Sequence, residues 1–163
     1  MRWLKLWLPA ILWAVVISGF STGLFTSEHT SLIILPFLRW LLPHATEATL
    51  ATIHMFIRKS GHFFEYFILS LLILRGIRAG RRDARLGWAV VAIALVAGYA
   101  SLDEFHQSFV PGRTAAVADV LLDTAGGIAA QAVAALFLLW GDVRKRQRVS
   151  AAKPAEADAA HPD

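Results

Sequence analysis

The sequence has no cysteine, two methionines, two tyrosines and little charge: Asp, Glu, Lys and Arg make up 17% of its 163 residues, against 56% hydrophobic. Without cysteine, a disulfide framework, a thiolate nucleophile and a thiolate zinc site are all excluded. A metal would have to be held by His, Asp, Glu or water. Soluble domains carry about 25% charged residues, so the shortage of charge and the apolar excess together place the chain in a membrane. The formal net charge of +4 does not point to nucleic acid. The basic residues sit beside apolar runs, where they act as topology signals, and no nucleic-acid partner is expected.

What is present is a series of apolar runs, of which four approach the roughly 20 residues a spanning helix needs: Leu6 to Phe20 continuing to Phe25, Gly61 to Ile77, Leu86 to Leu102, and Ala115 to Trp140. Arg2 and Lys5 precede the first, and Trp3, Trp7 and Trp13 near its start suit an aromatic belt. A signal peptide begins the same way, but Ser18 to Gly23 is a poor cleavage site, so a retained helix is expected. Gly19 and Gly23 form a small-xxx-small pair. Thr26 to Thr30 reads as a loop. Ser31 to Pro43 is apolar, too short to span and interrupted by Pro36, and it suits an interfacial segment anchored by Arg39 and Trp40.

Thr46 and Glu47 offer a helix start, and a surface helix to Ile57 is expected to feed the second span. Gly80 to Arg85 is a basic turn, and Val110-Pro111-Gly112-Arg113 a Pro-Gly turn. From Val149 the polar, Ala-rich tail has no apolar period and is expected to be disordered. The organisation is therefore a first transmembrane helix (1–25), a loop with an interfacial segment (26–57), a three-helix core (58–141) and a basic, then disordered tail (142–163). With four spans, Arg2 and Lys5, Arg75 through Arg85, and Arg144 through Arg148 share one side. The positive-inside rule makes that side cytoplasmic and puts both termini there. The expected fold is an all-α multi-pass bundle in the cell (plasma or inner) membrane.

Two polar clusters interrupt this pattern. One, Arg58-Lys59-Ser60-Gly61-His62-Phe63-Phe64-Glu65-Tyr66, opens the second span, and the other runs from Ser101 to Gly127 with Asp103, Glu104, His106, Gln107, Arg113, Asp119 and Asp123. A charge at a helix centre in hydrocarbon costs about 2.5–3.5 kcal/mol on insertion scales, so such a density marks a site. Residues three or four apart share a helix face. Arg58, His62 and Glu65 form one stripe, Lys59, His62 and Tyr66 another, and Asp119 and Asp123 a third beside small residues up to Gly127. If the third helix continues past Leu102, Asp103 faces the same way as His106 and Gln107. The ends of three helices then meet on the extracytoplasmic side.

Such a site supports three chemistries: a divalent cation (Mg²⁺, Mn²⁺ or Zn²⁺) on carboxylate and imidazole, an acid–base pair, or a grip on phosphate or carboxylate by Arg58, Lys59 and Arg113. Ion pairing that only holds the helices together, Glu65 with Arg58 and Asp119 with Arg113, is the structural alternative. His29, His44, His54 and His161 have no supporting motif and read as ordinary residues; Trp40, Trp88 and Trp140 read as belt anchors.

The clusters resemble the VanZ-like family of small integral membrane proteins. The matching pieces are Arg58-Lys59-x-x-His62-x-x-x-Tyr66, with Glu65 also fitting, then Asp103-Glu104-x-His106-Gln107-x-Phe109-Val110-Pro111-Gly112-Arg113, then Asp119-x-x-x-Asp123-x-x-Gly126. The family's namesake is an accessory factor in glycopeptide resistance that reduces sensitivity to teicoplanin. The resemblance therefore implies a cell-envelope factor, in contact with membrane lipids, whose outward pocket recognises a lipid-linked envelope precursor or a lipoglycopeptide. In this reading Lys59, His62 and Arg113 contact anionic groups, Glu65, Asp103, Glu104, His106 and Asp123 shape the pocket or handle protons, and Tyr66, Gln107 and Asp119 complete the ligand-binding set. The enzymatic alternative acts on a lipid-linked head group, with Asp103 or Glu104 as general base and His106 as its partner or a metal ligand. An assembly role is the third.

Overall fold

The computed structural model describes residues 2–22, 26–81, 85–111, 113 and 115–159. Gly23, the expected end of the first span at Phe25, the middle of the basic turn at 82–84, Gly112 and His161 lie outside them. The described residues form five helices: α1 (Arg2–Phe20), α2 (Ser27–Leu41), α3 (Glu47–Arg78), α4 (Leu86–Gln107) and α5 (Val117–Ala159). Four are long and apolar enough to cross a membrane: α1, α3, α4 and the Val117–Lys145 part of α5. The all-α membrane bundle is the observed architecture.

The helix boundaries depart from expectation in four places, each for a local reason. Thr26 to Thr30 is a helix start and not a loop, because the Thr26 hydroxyl accepts from the His29 amide and Glu28 lies in the first turn. At 15 residues, α2 is about 22 Å long, short of the ~30 Å hydrocarbon core, and Leu32, Ile33, Phe37 and Trp40 are exposed on it. The surface helix and second span are one continuous α3 of 32 residues. Gly61 costs a helix only about 1 kcal/mol, and no proline interrupts, so residues 57 and 58 sit within unbroken helix. α4 runs on past Leu102 to Gln107, which carries Asp103 and Glu104 on rigid backbone. Finally, α5 continues beyond Val149 to Ala159; the Ala, Lys and Glu there favour helix, while Pro154 within it does not.

The helices alternate in direction. At one end Arg75 donates to the Leu6 carbonyl (3.2 Å) and the Lys5 carbonyl (3.5 Å), and Gly76 lies against the Trp7 ring. At the other, Ser21 meets Asp103 and Arg113 meets the Phe20 carbonyl. Lys5, Arg75, Arg78, Arg81 and Arg85 thus gather at the first end and both polar clusters at the second.

The core is narrow: Ala10, Ile17, Tyr66, Leu69, Ile73, Ala92, Val96 and Ala100. Large apolar side chains such as Val15, Leu95, Leu121, Leu136 and Phe137 face outward. In water such a surface would aggregate; in lipid it is the solvated face.

Glycine governs how closely α5 approaches its neighbours. A Cβ at Gly126 would collide with the Phe63 carbonyl on α3, and one at Gly127 would lie 2.8 Å from Val96 Cγ1 on α4. This is close approach through small residues, the packing available where lipid removes the hydrophobic drive between helices. Gly126→Leu is expected to lower stability by about 1–3 kcal/mol, read as an earlier thermal transition of detergent-purified protein. Gly98→Leu, where a Cβ meets nothing within 4 Å, should leave the transition in place. Equal shifts would contradict the packing account.

Candidate functional site

The site is built from a buried anchor and a cleft beside it. Because α4 stays helical through Gln107, Asp103 and Gln107 stand one turn apart and both are buried. Asp103 Oδ2 accepts from Ser21 Oγ at 2.7 Å, Gln107 Nε2 at 3.0 Å and Tyr66 OH at 3.3 Å. These donors come from the end of α1, from α4 itself and from α3. The carboxamide of Gln107 passes the network on: its Oε1 accepts from Arg113 Nη1 at 3.3 Å. Arg113 also donates to the Phe20 carbonyl at 2.6 Å and the Thr22 carbonyl at 3.5 Å. Burial lowers the Arg113 pKa, with Asp103, Glu104 and Glu65 opposing. A guanidinium titrates so far above neutrality that it stays charged.

The cleft lies between the first half of α3 and the starts of α2 and α5. It encloses about 480 Å³, and its walls include His54, Arg58, Lys59, His62, Arg113 and Asp119. His54, Arg58 and His62 are four apart on α3 and so share one face. Lys59 forms an ion pair with Asp119. Buried Asp123 lies deeper on the same face of α5, with Oδ1 3.7 Å from His62 Nδ1, too long for a hydrogen bond. Among the described residues neither atom has another hydrogen-bond partner. Arg58, His62 and Arg113 also border a second cavity of about 240 Å³, walled by Phe20, Ile34, Ile57 and Glu65. A cationic chamber therefore adjoins a more apolar one.

Several sequence expectations are redrawn by this geometry. Asp119 pairs with Lys59 and not with Arg113, because Arg113 turns back toward the end of α1. Arg58 donates to Thr30 Oγ1 at 3.4 Å, and no Arg58–Glu65 ion pair is formed. Glu104 is buried and accepts from the Ala116 amide at 2.5 Å, tying the end of α4 to the start of α5. His106 does not join Asp103: the helix turn that buries Asp103, Glu104 and Gln107 leaves it exposed. Tyr66 lies in the core as a donor to Asp103 and not in the cleft wall. Among the described residues no group of three or more His, Asp or Glu side chains is arranged to hold a metal ion.

Three contributors were not singled out from sequence. Ser21 is a short hydroxyl inside the apolar run expected to form the first span, and Thr30 one in the stretch that reads as loop. His54 is buried, lines the cleft and lies 3.2 Å from Thr30 Oγ1; its four-residue spacing from Arg58 was the available signal.

The model of the VanZ/LLP1 family matches residues 6–138, which takes in most of α1, all of α2 through α4 and the first half of α5 together with both clusters. No curated protein and no solved structure matches the chain.

Asp103→Ala strands the buried Ser21 and Tyr66 hydroxyls and leaves Gln107 Nε2 only its 3.4 Å bond to Ser21 Oγ, and is expected to cost about 1–3 kcal/mol for each donor left unsatisfied, lowering the thermal transition in detergent. Tyr66→Phe removes only the longest of the three bonds and should cost no more than about 1 kcal/mol. A Tyr66→Phe loss as large as that of Asp103→Ala would contradict Asp103 as the common acceptor.

Proposed function

The chain belongs to the VanZ/LLP1 family, and from that premise and the cleft we propose that it is a cell-envelope membrane protein that captures the anionic head group of an amphiphilic envelope ligand. The observation that carries the reading is the charge of the cleft wall. Arg58, Lys59 and Arg113, with His54 and His62, face one described carboxylate, Asp119, itself engaged by Lys59. Arginine and lysine in a partly dehydrated cleft favour phosphate or carboxylate. The adjoining cavity walled by Phe20, Ile34 and Ile57 suits the first part of a lipid chain. A lipid-linked wall precursor and a lipoglycopeptide such as teicoplanin both combine these features.

Orientation belongs to the same reading. Lys5, Arg75, Arg78, Arg81, Arg85, Arg144 and Lys145 mark the cytoplasmic end, so the cleft opens on the extracytoplasmic side of the cell membrane. There α2, with its exposed apolar face, lies in the interface and forms one wall.

The test is binding of a polyprenyl diphosphate in detergent micelles to purified full-length protein. An Arg58→Gln/Lys59→Gln variant is expected to bind about tenfold or more weakly, roughly 1.4 kcal/mol or more, while keeping the wild-type thermal transition. Equal affinity in wild type and variant would overturn the reading. In a sensitive Gram-positive host at matched membrane abundance, wild type should reduce teicoplanin susceptibility and the double variant should not.

A second reading, enzymatic, rests on His62 and Asp123. Asp103 and Glu104 are committed to structural hydrogen bonds, whereas the imidazole of His62 borders both cavities with Asp123 behind it. Protein that only binds leaves the polyprenyl diphosphate intact. An enzyme would release phosphate by water attack on the phosphoanhydride, His62 accepting the water's proton, and His62→Gln would abolish release without abolishing binding.

A further inference from the structure

The opposite end of the bundle holds another cavity, about 30 Å away by the length of α4. It encloses about 240 Å³ between α3, α4 and α5, and its walls include Leu74, Arg78, Arg85, Trp88, Ala134 and Leu138. The lining is almost wholly apolar, with two arginines in the wall and no acid among the described lining residues.

The arginines there differ from their neighbours. Arg81 is exposed, as a charge that only sets topology should be. Arg78 is half-buried, and its Nε has no hydrogen-bond partner among the described residues. The Arg85 guanidinium lies 5.0 Å from the centre of the Trp88 ring, a cation–π contact between two residues of the cavity wall. Gln131, the other polar residue of the wall, is turned to Ser70 by hydrogen bonds of 2.7 and 3.2 Å, which leaves the interior apolar. A buried guanidinium nitrogen without an acceptor is costly, and the group that satisfies it while filling an apolar groove is an anion attached to a hydrocarbon chain. Basic pockets between helices at the cytoplasmic leaflet suit phospholipid head groups.

We infer that this cavity is a second ligand site, taking the phosphate of an anionic phospholipid between Arg78 and Arg85 and part of an acyl chain between Leu74 and Leu138. The site is independent of the cleft at the other end and of any ligand held there. Its effect is to tie α3, α4 and α5 together through a lipid at the end where those helices carry no Asp103 network.

Full-length protein in phosphatidylcholine nanodiscs with a trace of photoreactive phosphatidylglycerol tests this. Cross-links should map to residues 86–89 and 134–138, and unlabelled phosphatidylglycerol should compete while added phosphatidylcholine does not. Arg78→Gln/Arg85→Gln should reduce that labelling about tenfold or more. Ala134→Phe, which fills the cavity and keeps both arginines, should do the same, so a folding defect in the arginine variant cannot decide the result. Competition by phosphatidylcholine as strong as by phosphatidylglycerol, or unchanged labelling in both variants, would overturn the inference. Competition by inorganic phosphate alone would overturn it too, since the ligand would then be a free anion.

Discussion

A carboxylate placed among helices in a low-dielectric bundle has to be surrounded by donors, and the donors fix where those helices can lie. Asp103 is that carboxylate here. It draws Ser21 from the end of α1, Tyr66 from α3 and Gln107 from its own helix onto one oxygen. Without such a centre, this end of the bundle would rely on a thin strip of small and aliphatic residues. In lipid there is no hydrophobic drive to hold that strip closed. The polar network is therefore a structural requirement before it is a functional one.

The cleft follows from that requirement. Gln107 hands the network to Arg113, and the Phe20 and Thr22 carbonyls hold the same guanidinium. Its charge is thereby fixed in the wall of the cleft that Arg58 and Lys59 of α3 also line. Glu104, by accepting from the Ala116 amide, sets where α5 begins and so where Asp119 and Asp123 face α3. The glycines at 126 and 127 let α5 come close enough for Asp123 to stand behind His62. Anchoring acids are buried and the cations line the opening, a division suited to holding an anion without collapse of the site around its own charges.

The spans, their alternation and the meeting of the two clusters were legible in the sequence, because apolar length and charge placement report directly on a membrane environment. The pairing inside the site was not. Spacing places Arg58 and Glu65 on one face, but side-chain reach and the position of α2 decided that Arg58 turns to Thr30. His106 illustrates the same limit. The motif sets it beside Asp103 in sequence, yet a helix that buries 103, 104 and 107 has no room on that face for 106. The continuity of α3 was hidden by the polar stretch 58–60, which separates the expected surface helix from the expected span and yet is helical. Ser21, Thr30 and the backbone carbonyl of Phe20 left no signal, since small hydroxyls and main-chain acceptors acquire their roles only through folding.

The cleft is proposed to open outward and to hold an anionic amphiphile. A chain without native cysteine lends itself to one direct measurement: labelling of Ser27→Cys, on the cleft wall, by a membrane-impermeant maleimide in intact cells and in inverted vesicles. Labelling is expected in intact cells only, with protection by a polyprenyl diphosphate and none by a zwitterionic lipid. Labelling confined to inverted vesicles, or labelling that the polyprenyl diphosphate leaves unchanged, would contradict it.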